Sequence, residues 1–209
     1  MQVRLGKRMN KPVIYGLIGV SGIILAWMVQ TAQNPEDQIQ NTAVDHSHKS
    51  AHRIQLGSLE LSVPEGWIRE KPVSSMRTAQ FRLPRAEGDL EDAEVAVFNN
   101  IGGSVEQNIE RWVGQFSQPG GGPSTGFERI KNFTINELHI TLVYIEGIYS
   151  SRGASMSGPV MEKPDFSLLA AIVNTPDGPY YFKATGPVST VQNWAGSFDA
   201  LTQSFRFTG

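Results

Sequence analysis

The chain has 209 residues, 18 Lys and Arg against 20 Asp and Glu, a formal charge of −2 and no cysteine. The missing thiols exclude disulfides, a lipid-modified cysteine anchor and thiolate metal sites. From Arg53 onward 13 Lys and Arg face 17 Asp and Glu, so the body is near −4. No basic stripe interrupts it, which argues against nucleic acid as a partner.

The first residues carry an address. Arg4, Lys7, Arg8 and Lys11 lead into an uncharged apolar run, Pro12 to Val29, followed by the acidic Glu36 and Asp37. A run of 18 residues is near the lower limit for crossing a hydrocarbon core of roughly 30 Å. The exit, Trp27-Met28-Val29-Gln30-Thr31-Ala32-Gln33, is a poor cleavage site. Cleavage after Ala32 would put Gln30 where a small residue belongs. Residues 1–32 therefore read as a cytoplasmic basic flank and an uncleaved signal anchor, with a cleaved signal peptide as the alternative. The cations stay in the cytoplasm and the body lies outside it. Residues 33–52 are too polar to bury a core and read as a linker. Residues 53–209 are then one domain by length.

Ile54, Leu56, Leu59, Leu61 and Val63 have strand spacing, with a turn at Gly57-Ser58. Pro64-Glu65-Gly66 turns the chain before Trp67. Thr78 to Leu83 and Ala93 to Asn99 alternate as two further strands, joined by a charged loop, Arg85 to Asp92. Ser104 and Gln107 form a capping-box pair, and Val105, Ile109, Trp112, Val113 and Phe116 make one helical stripe. That helix stops by Pro119-Gly120-Gly121-Gly122-Pro123. Phe127 to Ile135 and Leu138 to Tyr149 read as a hairpin turning at Asn136-Glu137. Ser150 to Pro164 reads as a long loop, and Phe166 to Asn174 as a central strand. Thr175-Pro176-Asp177-Gly178 turns it back along Pro179 to Thr185. Gly186-Pro187 opens a last helix with Val191, Trp194, Ala195, Phe198 and Leu201 on one face. Ser204 to Phe207 is expected to close the sheet at its edge. Hairpin-paired strands with two amphipathic helices predict an α+β domain, a mainly antiparallel sheet with helices packed on it.

These motifs, in this order, carry a resemblance. They are Val63-Pro64-Glu65-Gly66-Trp67, then Tyr180-Tyr181-Phe182-Lys183-Ala184-Thr185-Gly186-Pro187, a final helix, and Ser204-Phe205-Arg206-Phe207. The body resembles the superfamily of the photosystem extrinsic subunit PsbP and the bacterial periplasmic DcrB-like proteins. Gly102-Gly103-Ser104 through Arg111-Trp112-Val113-Gly114-Gln115-Phe116, with Lys183 to Pro187, is similar to an uncharacterised group of exported bacterial proteins within it. The resemblance implies an α/β/α sandwich and mostly non-catalytic binding or assembly roles. It brings no catalytic or cofactor residues.

The candidate chemistry is thin. His46, His48 and His52, beside Asp45, are the densest set of metal-ligand residue types. They sit in the linker, where ordering around an ion is entropically unfavourable, so no metal site is expected. Gly153-Ala154-Ser155-Met156-Ser157-Gly158 is a near miss to the hydrolase elbow, without its strand-to-helix setting. His139 is the only other histidine, with Asp165 as a candidate orienting carboxylate. Pro119 to Gly126 lacks the Lys-Ser/Thr of a phosphate loop and follows a helix. Arg111 beside Trp112 could cradle an anion or sugar, but a core Trp with a solvated Arg is the commoner arrangement. Glu87, Asp89, Glu91, Asp92 and Glu94 have oxygens suited to calcium without the order of a calcium loop.

The expectation is a binding or assembly module held in a bacterial inner membrane with its body in the periplasm. It has no catalytic, cofactor-binding or metal residues. Its partners are the membrane, through the N-terminal helix, and an envelope protein. Recognition falls to the loops Ser150 to Pro164 and Arg85 to Asp92. The alternative is an envelope hydrolase using the Ser151 to Ser157 loop.

Overall fold

The computed structural model describes residues 52–99, 101–151 and 160–209. The expected anchor, the linker with Asp45, His46 and His48, and the Gly153 to Gly158 segment with Ser155 and Ser157 lie outside these residues. Among the described residues no helix is long and apolar enough to cross a membrane.

Among the described residues eleven strands and two helices follow one another. β1 (His52–Leu56) and β2 (Leu59–Val63) form a tight hairpin, joined antiparallel by β11 (Arg206–Phe207). The last strand thus completes this small sheet in the order β1-β2-β11, not the main sheet as the sequence suggested. The main sheet takes β3 (Ile68–Glu70), β4 (Arg77–Leu83), β5 (Ala93–Asn99), β10 (Gly178–Pro187), β9 (Met161–Thr175), β8 (Leu138–Ser151) and β6 (Phe116–Ser117) in that spatial order. β7 (Arg129–Ile135) also pairs with β8. Every pairing is antiparallel.

The two helices, α1 (Val105–Val113) and α2 (Val188–Gln203), cover opposite faces. Period-two alternation sorts the sheet residues between two cores. Phe182, Ala184, Ala171, Val173, Val95 and Val97 join α2 and the small hairpin in one of them. Tyr181, Ala170, Ile172, Val143 and Ile145 join Ile109 and Trp112 of α1 in the other. Trp112 is buried and meets the Tyr181 ring edge-on at 5.9 Å.

Several sequence expectations shift. α1 ends at Gly114, so Phe116 leaves the helical stripe and pairs with Tyr149 as a short strand. It still fills the same core. β8 and β9 run beyond the expected loop boundary, pairing Tyr149 with Lys163 and Ser150 with Glu162. On α2, Ala195 is exposed and Trp194 half-buried. Trp194 packs at the edge of the core and its Nε1 donates to the Pro84 carbonyl at 2.8 Å. Trp67 is the buried tryptophan there, against Phe81 and Phe198, with Nε1 donating to Ser197 Oγ.

Candidate ligand-binding site

α1 has nine residues and cannot cover its whole side of the sheet. Its apolar stripe ends over Tyr181. Two residues further along β10 the same face carries Lys183, then Thr185. In register beside them lie Ala96 and Glu94 of β5. Gln80 and Arg82 of β4 continue the row. The uncovered half of this face is therefore polar.

The ends of β8 and β9 wall it in. Their register shifts between Gly147 and Tyr149, and Asp165 opposite has φ 55°. A bulge of this kind bends the paired strands. A side chain at Gly147 would also strike the Ser117 carbonyl, with Cβ at 2.5 Å. The bent hairpin brings Tyr149, Lys163 and Phe166 to the rim of a cavity of ≈ 390 Å³, floored by Ala96, Lys183 and Thr185. Arg77, Glu94 and Phe98 line it from β4 and β5. Tyr149 stacks on Phe166 with ring planes 7° apart.

Charge in the cavity is paired with one exception. Arg77 meets Glu94 at 2.9 Å and donates to Gln80 Oε1 at 2.7 Å. Arg82 bridges Glu70 and Asp92, both at 2.9 Å. The bond from Arg82, then one from the Arg85 N–H, holds the Asp92 carboxyl below its usual range. Lys163 meets Glu91 at 2.5 Å. Among the described residues only Lys183, of the cavity's cations, has no carboxylate within ion-pair distance. Its ammonium donates to Gln115 Oε1 at 2.7 Å and lies 5.7 Å from the Tyr149 ring centre. Burial, and then the Arg77 charge, push the Lys183 pKa down to about 8, against the pull of Glu94. Burial, then the Glu94 charge, push the Tyr149 phenol up.

Both loops expected to carry recognition contribute. Glu91 and Asp92 come from one and Lys163 from the other, and the Lys163–Glu91 pair ties them together. The floor and far wall, with Arg77, Lys183 and Phe98, had no sequence signal beyond the run that Lys183 shares with the resemblance. The acidic run is dispersed, not convergent. Asp89 accepts from the Thr190 N–H at the start of α2 at 2.9 Å, and Glu91, Asp92 and Glu94 each have a cation. Among the described residues no three His, Asp or Glu gather as a metal site. Arg111 donates to Asn108 Oδ1 on its own helix at 3.1 Å while Trp112 lies in the core.

His139 is exposed at the start of β8, opposite Thr134 and Asn174. Ser151 ends the same strand. At about 3.3 Å per residue the two are on the order of 40 Å apart, and Asp165 also lies far along β9. His139 therefore converges with neither. Pro119 to Gly126 is a surface turn, pinned by Gln118 N donating to the Gly122 carbonyl at 2.8 Å.

No family model matches the chain, and no curated protein matches it. Solved structures similar to it include a cyanobacterial PsbP from Synechocystis, at 13% identity and TM-score 0.45, covering 80% of this chain and 98% of that one. A protein of unknown function from Pseudomonas aeruginosa is similar at 12% identity and TM-score 0.38, covering 73% of this chain and 93% of that one. A protein from Bacteroides thetaiotaomicron is similar at 9% identity and TM-score 0.40, covering 73% of this chain and 46% of that one.

Proposed function

We propose that this protein is a membrane-tethered, extracytoplasmic binding module of a bacterial envelope, which holds a small ligand without transforming it. The observation that carries the reading is the cavity on the uncovered half of the sheet. It joins aromatic walls to a few converging polar groups, and its volume of ≈ 390 Å³ is in the range of small-molecule sites. Tethering rests on the basic flank and apolar run of residues 4–29. The non-catalytic reading is supported by the separation of His139 from Ser151 and Asp165 along the strands.

Two measurements test it. A reporter active only outside the cytoplasm, fused after Gly209, should be active; activity of a cytoplasmic reporter instead would remove the topology. The full chain, purified from its own membranes and denatured, should release a small molecule identifiable by mass spectrometry. Ala96→Leu, which adds bulk to the cavity floor, should reduce the amount carried while leaving the melting temperature within a few degrees. Equal recovery from the variant would place the ligand elsewhere and end the cavity reading.

A further inference from the structure

We infer that the cavity takes a small monoanion, a carboxylate or a group of like charge joined to an apolar body of roughly aromatic-ring size, with the anionic group on the Lys183 ammonium. The inference rests on the binding-module reading above and specifies its ligand.

The pairing of charges in the cavity favours an anion over a cation. Glu91, Asp92 and Glu94 line the cavity, and each is already engaged by a cation: Lys163, Arg82 and Arg77 respectively. A cationic ligand would find each of these carboxylates already offset by a cation. An anion finds Lys183 with only the neutral Gln115 amide oxygen as its hydrogen-bond partner among the described residues. An ammonium has three donors, and one bond to an amide leaves the others for a ligand. Arg77, also lining the cavity, adds a second positive charge whose repulsion on Lys183 an anion would relieve. A nearby anion also stabilises the charged form of an amine, so binding should draw the Lys183 proton on more tightly.

The remaining walls set the rest of the ligand. Phe98, Tyr149 and Phe166 offer aromatic surface, and Val73 lies at the margin. A hydrated inorganic ion would leave that surface uncovered. A ligand with an apolar body would cover it while its charge reaches the floor.

The test is competitive acylation of the full chain in detergent, with each lysine read separately by peptide mass spectrometry. Lys71 and Lys131 are exposed and serve as internal controls. The probes are 3-phenylpropanoate and its uncharged counterpart, 3-phenylpropanol. Only the unbound fraction reacts, so at about ten times Kd the Lys183 rate should fall about tenfold. The carboxylate should protect Lys183 and not Lys71 or Lys131, and the alcohol should protect none of them. A second arm follows the melting temperature. 3-Phenylpropanoate should raise it for wild type and for Lys183→Arg, but not for Lys183→Met.

Equal or better protection by the alcohol would overturn the anion inference and leave the cavity-binding reading standing. No protection of Lys183 by either probe, or no reaction of Lys183 without probe, would overturn both. A carboxylate-induced shift that survives in Lys183→Met would place the anion elsewhere and overturn the inference alone.

Discussion

Lys183 shows how a single residue can be set against the fold. Its native pKa is about 8, below the ordinary 10.5. Between those values the unfolded chain holds a proton that the native chain has released, so stability rises with pH across that window. Below about pH 8 both states are charged and the native state bears the full desolvation; above about 10.5 both are neutral and the burden is gone. The shift corresponds to at most about 3 kcal/mol, and to roughly 1–2 kcal/mol because the half-buried side chain still reaches cavity water. Lys183→Met removes that burden and leaves Gln115 without its donor, a loss of about 1 kcal/mol. The variant should therefore match or slightly exceed wild type in urea unfolding at pH 7. Wild type should gain on it as the pH rises from 8 to 10.5. A loss above about 2 kcal/mol at pH 7 would mean that Lys183 holds the fold together rather than facing a ligand. None of this was legible in the sequence. A lone Lys in an alternating strand looks like any solvated position. Its setting is made by Arg77, Glu94, Gln115 and Tyr149, which the sheet alone brings together.

Each helix start is fixed in its own way. Ser104 caps α1 locally, accepting from the Gln107 N–H at 3.2 Å, while Gln107 Oε1 accepts from the Ser104 N–H at 2.9 Å. That pair was readable because both members lie within one turn. α2 begins after Pro187, which has no capping side chain. Its cap is supplied by Asp89, whose Oδ2 accepts from the Thr190 N–H and from Thr190 Oγ1 at 2.5 Å. Asp89→Ala should lower stability by about 1–2 kcal/mol in urea unfolding, and Asp89→Asn should recover most of it, since Asn also caps. An Asn variant as weak as the Ala variant would show that charge, not capping, is what matters there. The same contrast explains which elements the sequence revealed. The hairpin turns at Gly57-Ser58 and Asn136-Glu137 were legible from Gly57 and Asn136, types that tolerate the positive φ observed there, whereas Glu137 takes its positive φ against its type. The bent end of β8 and β9 was not. Ser150 pairs with Glu162 there, among polar residues that look like a loop, because Ser150 N also donates to the Gln115 carbonyl at 2.8 Å. Strand β3 was missed for a similar reason. With three residues it has no periodicity of its own, and it forms because Ile68 to Glu70 can add to β4.

For the whole molecule, the sheet makes two cores into one cooperative unit. Neighbouring residues of a strand serve opposite sides: Tyr181 lies under α1 and Phe182 under α2, as do Ile172 and Val173. Neither core can open without withdrawing support from strands the other needs. Trp67 anchors one core and Trp112 the other, each at least nine-tenths buried. Replacing either by Ala should cost about 3–5 kcal/mol, as large aromatic deletions do. Trp194, half-buried at the margin, should cost less, roughly 1–2 kcal/mol including its bond to the Pro84 carbonyl. Because the cores share their strands, Trp67→Ala and Trp112→Ala should each move a single transition downward, by roughly 10 °C for a domain of this size. Far-UV circular dichroism should report the loss of the sheet, and fluorescence of the remaining tryptophans the loss of packing, at the same temperature. If Trp112→Ala instead produced two transitions, with Trp67 fluorescence unchanged through the first, the α1 side would be a separately melting layer. The cavity would then be walled by a part of the molecule that can open alone, and the rigid floor on which the proposed ligand recognition by Lys183 depends would have to be abandoned.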